Sequence, residues 1–222
     1  MFEDDEAPGS ASGEASPHRE RTARDLAVLS GPEADPLAML DRALGQADVV
    51  IAGVRRQQAS LPTPCDSWDV RALINHLVDE MRRFVDVTTT GRRGSSDGDI
   101  IGDDWISAYR AAASSLAAAW SQPGALERPH RYPGGDIPAE TAVGQQVSEL
   151  VIHSWDIAKA TGQVAVLDPE LGLFALDWAR TYDDPQFRGQ EAYGFQMGPQ
   201  KVVAVGASVY DQLAAFAGRS TN

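Results

Sequence analysis

The chain has 222 residues, a formal net charge of −13 and a single cysteine, Cys65. An acidic surface disfavours phosphate backbones as partners, and one cysteine excludes both an intramolecular disulfide and a cysteine-only metal site. No apolar run of about 18 residues and no basic-then-apolar leader is present, so neither a membrane span nor a secretory signal is expected, and a reducing cytoplasm is the expected compartment.

Residues 1–34 carry eight acidic and three basic residues among Ser, Gly and Pro. They hold too little apolar surface to offset the entropy of ordering and are expected to be a disordered acidic tail. Residues 35–222 are expected to form one helical domain, long enough to bury a core unaided. The first helix is expected over Pro36–Gln58, where Leu37, Leu40, Leu44, Ala47, Val50 and Ile51 recur at helical spacing behind an Asp35 cap. A second, capped by Asp66 or Ser67, should run to about Thr88 with Leu73, Ile74, Leu77, Val78, Met81 and Phe84 on its apolar face. Residues 92–102 read as a loop and Asp103–Ser121 as a third helix. Residues 122–138, with four prolines and three glycines, read as irregular. A fourth helix should span Pro138–Thr161 and stop at Gly162, a fifth Pro169–Tyr182 behind Asp168, and a short last one Ser208–Ala217. The apolar Val202–Val205 run between the last two is compatible with extended chain.

Glu149 and His153 stand four residues apart, one turn on one face of the fourth helix. His76 lies at the margin of the apolar face of the second. Two imidazoles and a carboxylate hold a divalent ion and leave coordination positions open, the arrangement of a catalytic metal. The same Glu/His pair also occurs on solvated helices, where it contributes only a few tenths of a kcal/mol. Counted at about 100° per residue, Gln145, Gln146, Glu149, His153 and Asp156 form a polar stripe. It either faces water or meets the polar edge of the second helix across a cavity. Glu80, one turn after His76, reads as a substrate contact or extra ligand, or as a carboxylate paired with Arg82 or Arg83. Asp156 reads as an acceptor orienting an imidazole or as a surface carboxylate. Cys65 reads as a small buried residue or, at a helix start, as an activated thiol.

Three stretches then carry a resemblance: Thr63-Pro64-Cys65-Asp66-Ser67-Trp68-Asp69-Val70-Arg71-Ala72-Leu73-Ile74-Asn75-His76-Leu77, Glu149-Leu150-Val151-Ile152-His153-Ser154-Trp155-Asp156-Ile157-Ala158, and Ala160-Thr161-Gly162-Gln163. Together, over about 36–219, they resemble the mycothiol-dependent maleylpyruvate isomerase-like proteins of actinobacteria, within the DinB-like superfamily. With only two lysines against seventeen arginines, the composition agrees with such a source. The resemblance implies an all-α DinB-like four-helix bundle with additional C-terminal helices. It implies a divalent metal, zinc first and nickel second, on His76, Glu149 and His153. It further implies mycothiol as thiol cosubstrate in an isomerisation or sulfur transfer on a small electrophile, by a monomer or homodimer. Arg219 reads as a contact for an anionic substrate or as an arginine favoured by the helix end. The altered segment Phe195-Gln196-Met197-Gly198-Pro199, with Lys201 beyond it, argues against carrying over maleylpyruvate itself as the substrate. A non-catalytic metal-binding protein with a stress or accessory role, and a metal-free helical scaffold, are the other readings.

Overall fold

The structure, a computed structural model, describes residues 35–66, 68–91, 94, 98–132, 135–183, 188–189 and 197–221. The tail expected over 1–34 lies outside them. Among the described residues the helices are α1 (Pro36–Ala52), α2 (Val70–Thr90), α3 (Trp105–Trp120), α4 (Ala139–Thr161), α5 (Pro169–Thr181) and α6 (Val209–Phe216). Helix α1 packs on α4, α4 on α2, α2 on α3 and α3 back on α1, which closes a four-helix ring. Helix α5 lies against α4, and α6 against α5 and α4. This is the all-α bundle with added C-terminal helices that the periodicities and the resemblance imply.

The apolar stripes fall where the spacing puts them. Leu40, Ala43, Leu44, Ala47, Val50 and Ile51 of α1 are buried against Leu73, Ile74, Leu77 and Met81 of α2 and Val147, Leu150 and Val151 of α4 in one core. Helix α4 departs from the amphipathic pattern. Residues 150–158 are buried without interruption, because α4 is packed by α1, α2, α5 and α6 together. A helix enclosed on all sides has no face to give to water. Its polar stripe is therefore interior at Gln146, His153 and Asp156, which need protein partners, while Gln145 and Glu149 keep partial exposure.

Three element boundaries differ from expectation. Helix α1 stops at Ala52 rather than Gln58, and a 3₁₀ turn follows at Arg56–Gln58. Gln163 donates from Nε2 to the Val50 carbonyl at 3.0 Å and so satisfies one of the carbonyls a helix end leaves free. Helix α2 is capped by Asp69, whose Oδ1 accepts from Ala72 N at 2.8 Å, not by Asp66; Ser67 lies outside the described residues. The stretch 122–138 contains a short antiparallel hairpin, His130–Tyr132 with Gly135–Ile137. Residues 202–205 form no strand, and Val202 and Val205 are fully exposed. Replacing Asp69 with Ala removes the α2 cap at a cost of about 1 kcal/mol. The expected result is a midpoint about 2–4 °C lower in a thermal melt, and an unchanged midpoint would show that the cap contributes nothing.

Candidate metal centre

Helices α2 and α4 meet where His76 faces Glu149. His76 Nε2 lies 3.0 Å from Glu149 Oε1, and His153 Nε2 lies 3.2 Å from the same oxygen. A donor atom from each of the three residues falls within 4.8 Å of both others. A tetrahedral ion with bonds of about 2.1 Å holds its donors roughly 3.4 Å apart. The two imidazole nitrogens lie from Glu149 Oε1 at distances close to that spacing, and the donor types suit zinc or nickel. His76 and Glu149 keep 20% and 28% of their side chains exposed, against 6% for His153. The group opens toward solvent on the first two residues and is closed behind the third.

The two imidazoles are oriented by different means. On the closed side, His153 Nδ1 lies 3.0 Å from Asp156 Oδ2, and Asp156 is fully buried. A proton shared there leaves Nε2 directed at Glu149, the outer-partner arrangement common behind metal-ligating histidines. His76 is held by stacking instead. The Trp68 ring lies 4.2 Å from it at 24° and meets the His153 ring edge-on at 5.8 Å. Trp68 is placed by the turn before α2. The Thr63 hydroxyl sits 2.8 Å from the Trp68 carbonyl and 3.0 Å from that of Cys65, and it accepts from Cys65 N at 3.2 Å.

Burial alone pushes the His153 imidazole toward its neutral form. The Glu149 charge and the bonds to Asp156 and Glu149 outweigh it, and the pKa is pushed up to about 9 from an ordinary 6.5. Burial likewise favours a protonated Glu149, but the charge of His153 and the bonds from both imidazoles hold that carboxyl well below its usual range. At neutral pH and without an ion, Glu149 and His153 form a charged pair.

A family model described as the mycothiol maleylpyruvate isomerase N-terminal domain matches residues 40–158. The chain belongs to that family. "Uncharacterized protein Rv0738" of Mycobacterium tuberculosis (strain ATCC 25618 / H37Rv) is 34% identical over 188 residues, covering 84% of this chain and 98% of the relative. "Uncharacterized protein MT0763" of M. tuberculosis (strain CDC 1551 / Oshkosh) matches to the same extent. No solved structure gives a significant match. The part of the chain matched by the mycothiol maleylpyruvate isomerase N-terminal domain contains His76, Glu149 and His153 but ends before Arg219. Among the described residues of this family member, no helix is long and apolar enough to cross a membrane.

The other residues singled out in the sequence fall as follows. Glu80 is buried and accepts from Arg83 Nη1 at 3.0 Å, the pairing that was its alternative reading, and it is not among the convergent donors. Arg219 is only 8% exposed and faces inward, with Nη2 3.4 Å from Asp156 Oδ2 and 3.5 Å from Cys65 Sγ. Asp156 is buried with its Oδ2 3.0 Å from His153 Nδ1, so it is not a surface carboxylate. Cys65 is buried and, with His153 and Asp156, forms a second close group of donor atoms. His130, which the sequence did not single out, is buried against Trp120, with ring centres 4.7 Å apart, and is in neither group. Lys201 donates to Ser220 Oγ at 2.8 Å, while Phe195 and Gln196 lie outside the described residues. Sequence reasoning did not single out Trp68. An aromatic residue directly ahead of the Asp69 cap was the available signal.

Proposed function

We propose that this chain is a divalent-metal-dependent enzyme that uses a low-molecular-weight thiol of the mycothiol kind for isomerisation or sulfur transfer on a small electrophile. The observation that carries the reading is the convergence of His76 Nε2, Glu149 Oε1 and His153 Nε2 from two helices. A divalent ion held by these three would keep open positions, supply Lewis acidity and favour the thiolate form of a thiol brought to it. The protein's own groups do the rest. Asp156 holds the His153 ring by its Nδ1, so the nitrogen facing Glu149 keeps its direction. Trp68 stacks on His76 and presents a partly exposed apolar wall beside it, suited to the carbon skeleton of a small electrophile. Ser154, Trp155 and Asp156 are fully buried in α4 and exclude water from behind the donors.

The test is turnover by zinc-loaded protein given mycothiol and a panel of activated alkenes and displaceable electrophiles. Sulfur transfer consumes the thiol, and isomerisation changes the substrate spectrum with the thiol conserved. We expect one of these signals from the loaded protein and neither after chelation. A loaded protein inert across the whole panel would leave a non-catalytic metal-binding protein in place of an enzyme.

A further inference from the structure

Behind His153, three distant segments meet. They are the turn before α2 with Cys65, the middle of α4 with Asp156, and the turn after α6 with Arg219. We propose that Arg219 is a positioning residue for the metal centre: acting through Asp156, it keeps the His153 imidazole directed at Glu149 and His76. The inference rests on the metal reading above and extends it to residues outside the ligand set.

Asp156 is 0% exposed, and a carboxyl group so placed needs hydrogen-bond partners around it. Its Oδ2 receives both His153 Nδ1, at 3.0 Å, and the Arg219 guanidinium, at 3.4 Å. Its Oδ1 has no hydrogen-bond partner among the described residues. The carboxylate's rotation is therefore set by the two groups on one oxygen, and Arg219 is the one that does not itself face the donors. Arg219 is in turn fixed from several sides. Its Nη1 donates to the Ala217 carbonyl at 3.1 Å, its backbone N–H donates to Ala214 at 2.8 Å, and Nη2 rests 3.5 Å from Cys65 Sγ. The turn that delivers it depends on Gly218, whose φ of 88° is left-handed. A Cβ there would come within 2.6 Å of Gly198 Cα.

The second donor group, Cys65, His153 and Asp156, invites a rival reading as another ion site. The guanidinium argues against it. Arg219 already places a cation 3.4 and 3.5 Å from the donor atoms of Asp156 and Cys65, where an ion would sit. The same contacts that exclude a second ion are the ones that hold Asp156 in place for the first.

The test compares zinc affinity, by competition with a chromophoric chelator, in wild type, D156N, R219M, R219K and the D156N/R219M double variant. Loss of an outer partner weakens metal binding by roughly 10–100-fold, and D156N is expected in that range. R219M should lose about tenfold, at the lower edge of it. R219K should fall between R219M and wild type, because an ammonium keeps the charge but not the planar fork. If Arg219 acts through Asp156, the double variant binds no more weakly than D156N. Wild-type affinity in D156N, or an R219M loss that adds in full to that of D156N, overturns the proposal. A metal-free arm separates this from the function above. With ¹⁵N-labelled histidine, the wild type should show a solvent-protected His153 Nδ1–H resonance that D156N abolishes and that R219M, or R219Q should R219M fail to fold, weakens. An unaltered resonance in the arginine variant overturns the positioning role whatever the metal result. A response of that resonance in a protein that binds no zinc sustains the positioning role and rejects the metal-dependent function.

Discussion

Replacing His76 with alanine is expected to lower zinc affinity by more than the roughly 10–100-fold that removal of an outer partner costs. The variant should leave purified protein without stoichiometric metal. His76 is the one donor from α2, and without it the pair Glu149/His153 on a single helix is left to grip the ion alone. Two donors one turn apart are common on helices that bind nothing. The side chain is 20% exposed at the edge of the bundle, so its truncation opens no enclosed cavity, and the helical circular dichroism should be retained. The measurement is metal content by mass spectrometry after dialysis, alongside chelator competition. Full zinc occupancy in folded His76→Ala protein would show that the ligand set is wrong.

The second large effect is on pH dependence. The His153 pKa is raised from 6.5 to about 9 in the folded chain, so its contribution to stability is complete below about pH 6.5 and is lost as pH rises through 9. The Glu149 pKa is depressed from 4.5, so its contribution is present above that value and is lost as the carboxylate protonates in acid. For the metal-free protein, this pair is therefore most stabilising between about pH 4.5 and 6.5, and its share declines toward pH 9. An ion reverses the upper half of that trend, because it must displace the His153 proton before it binds. The gap in melting temperature between zinc-loaded and metal-free protein should widen from pH 6.5 to 9 and then level off. At pH 7, loading should release about one proton from His153 per ion. A gap that stays constant across this range would mean that His153 does not exchange its proton for metal.

The helices were legible in the sequence, because their apolar positions recur at 3.6-residue spacing and their ends carry Asp caps or Gly162. The direction of the α4 stripe was not. Angular counting places Gln146, Glu149, His153 and Asp156 opposite the core residues, which in an isolated amphipathic helix means solvent. What turns that side inward is the ring closed by α2 together with α5 and α6 behind it, and none of these contacts is local to α4. The convergent residues His76, Glu149 and His153 could be named in the sequence, from their residue types together with the family resemblance. The grip on them could not, because Cys65 and Arg219 meet across 154 residues and Asp156 and Arg219 across 63. Trp68 escaped notice for a related reason. Its role is a ring stacked on an imidazole one and a half turns into the next helix, and no periodicity records that.

Two of the three donors ride on α4, the most enclosed helix of the bundle, and the third on the second turn of α2. The halves of the grip therefore differ in how readily they come apart. Local opening of the first two turns of α2 would separate His76 from its partners while the α4 pair stayed in place. Residence time of a cargo held there would follow this local fluctuation, not the lifetime of the native state, and could be altered from the Thr63 turn without touching a single ligand.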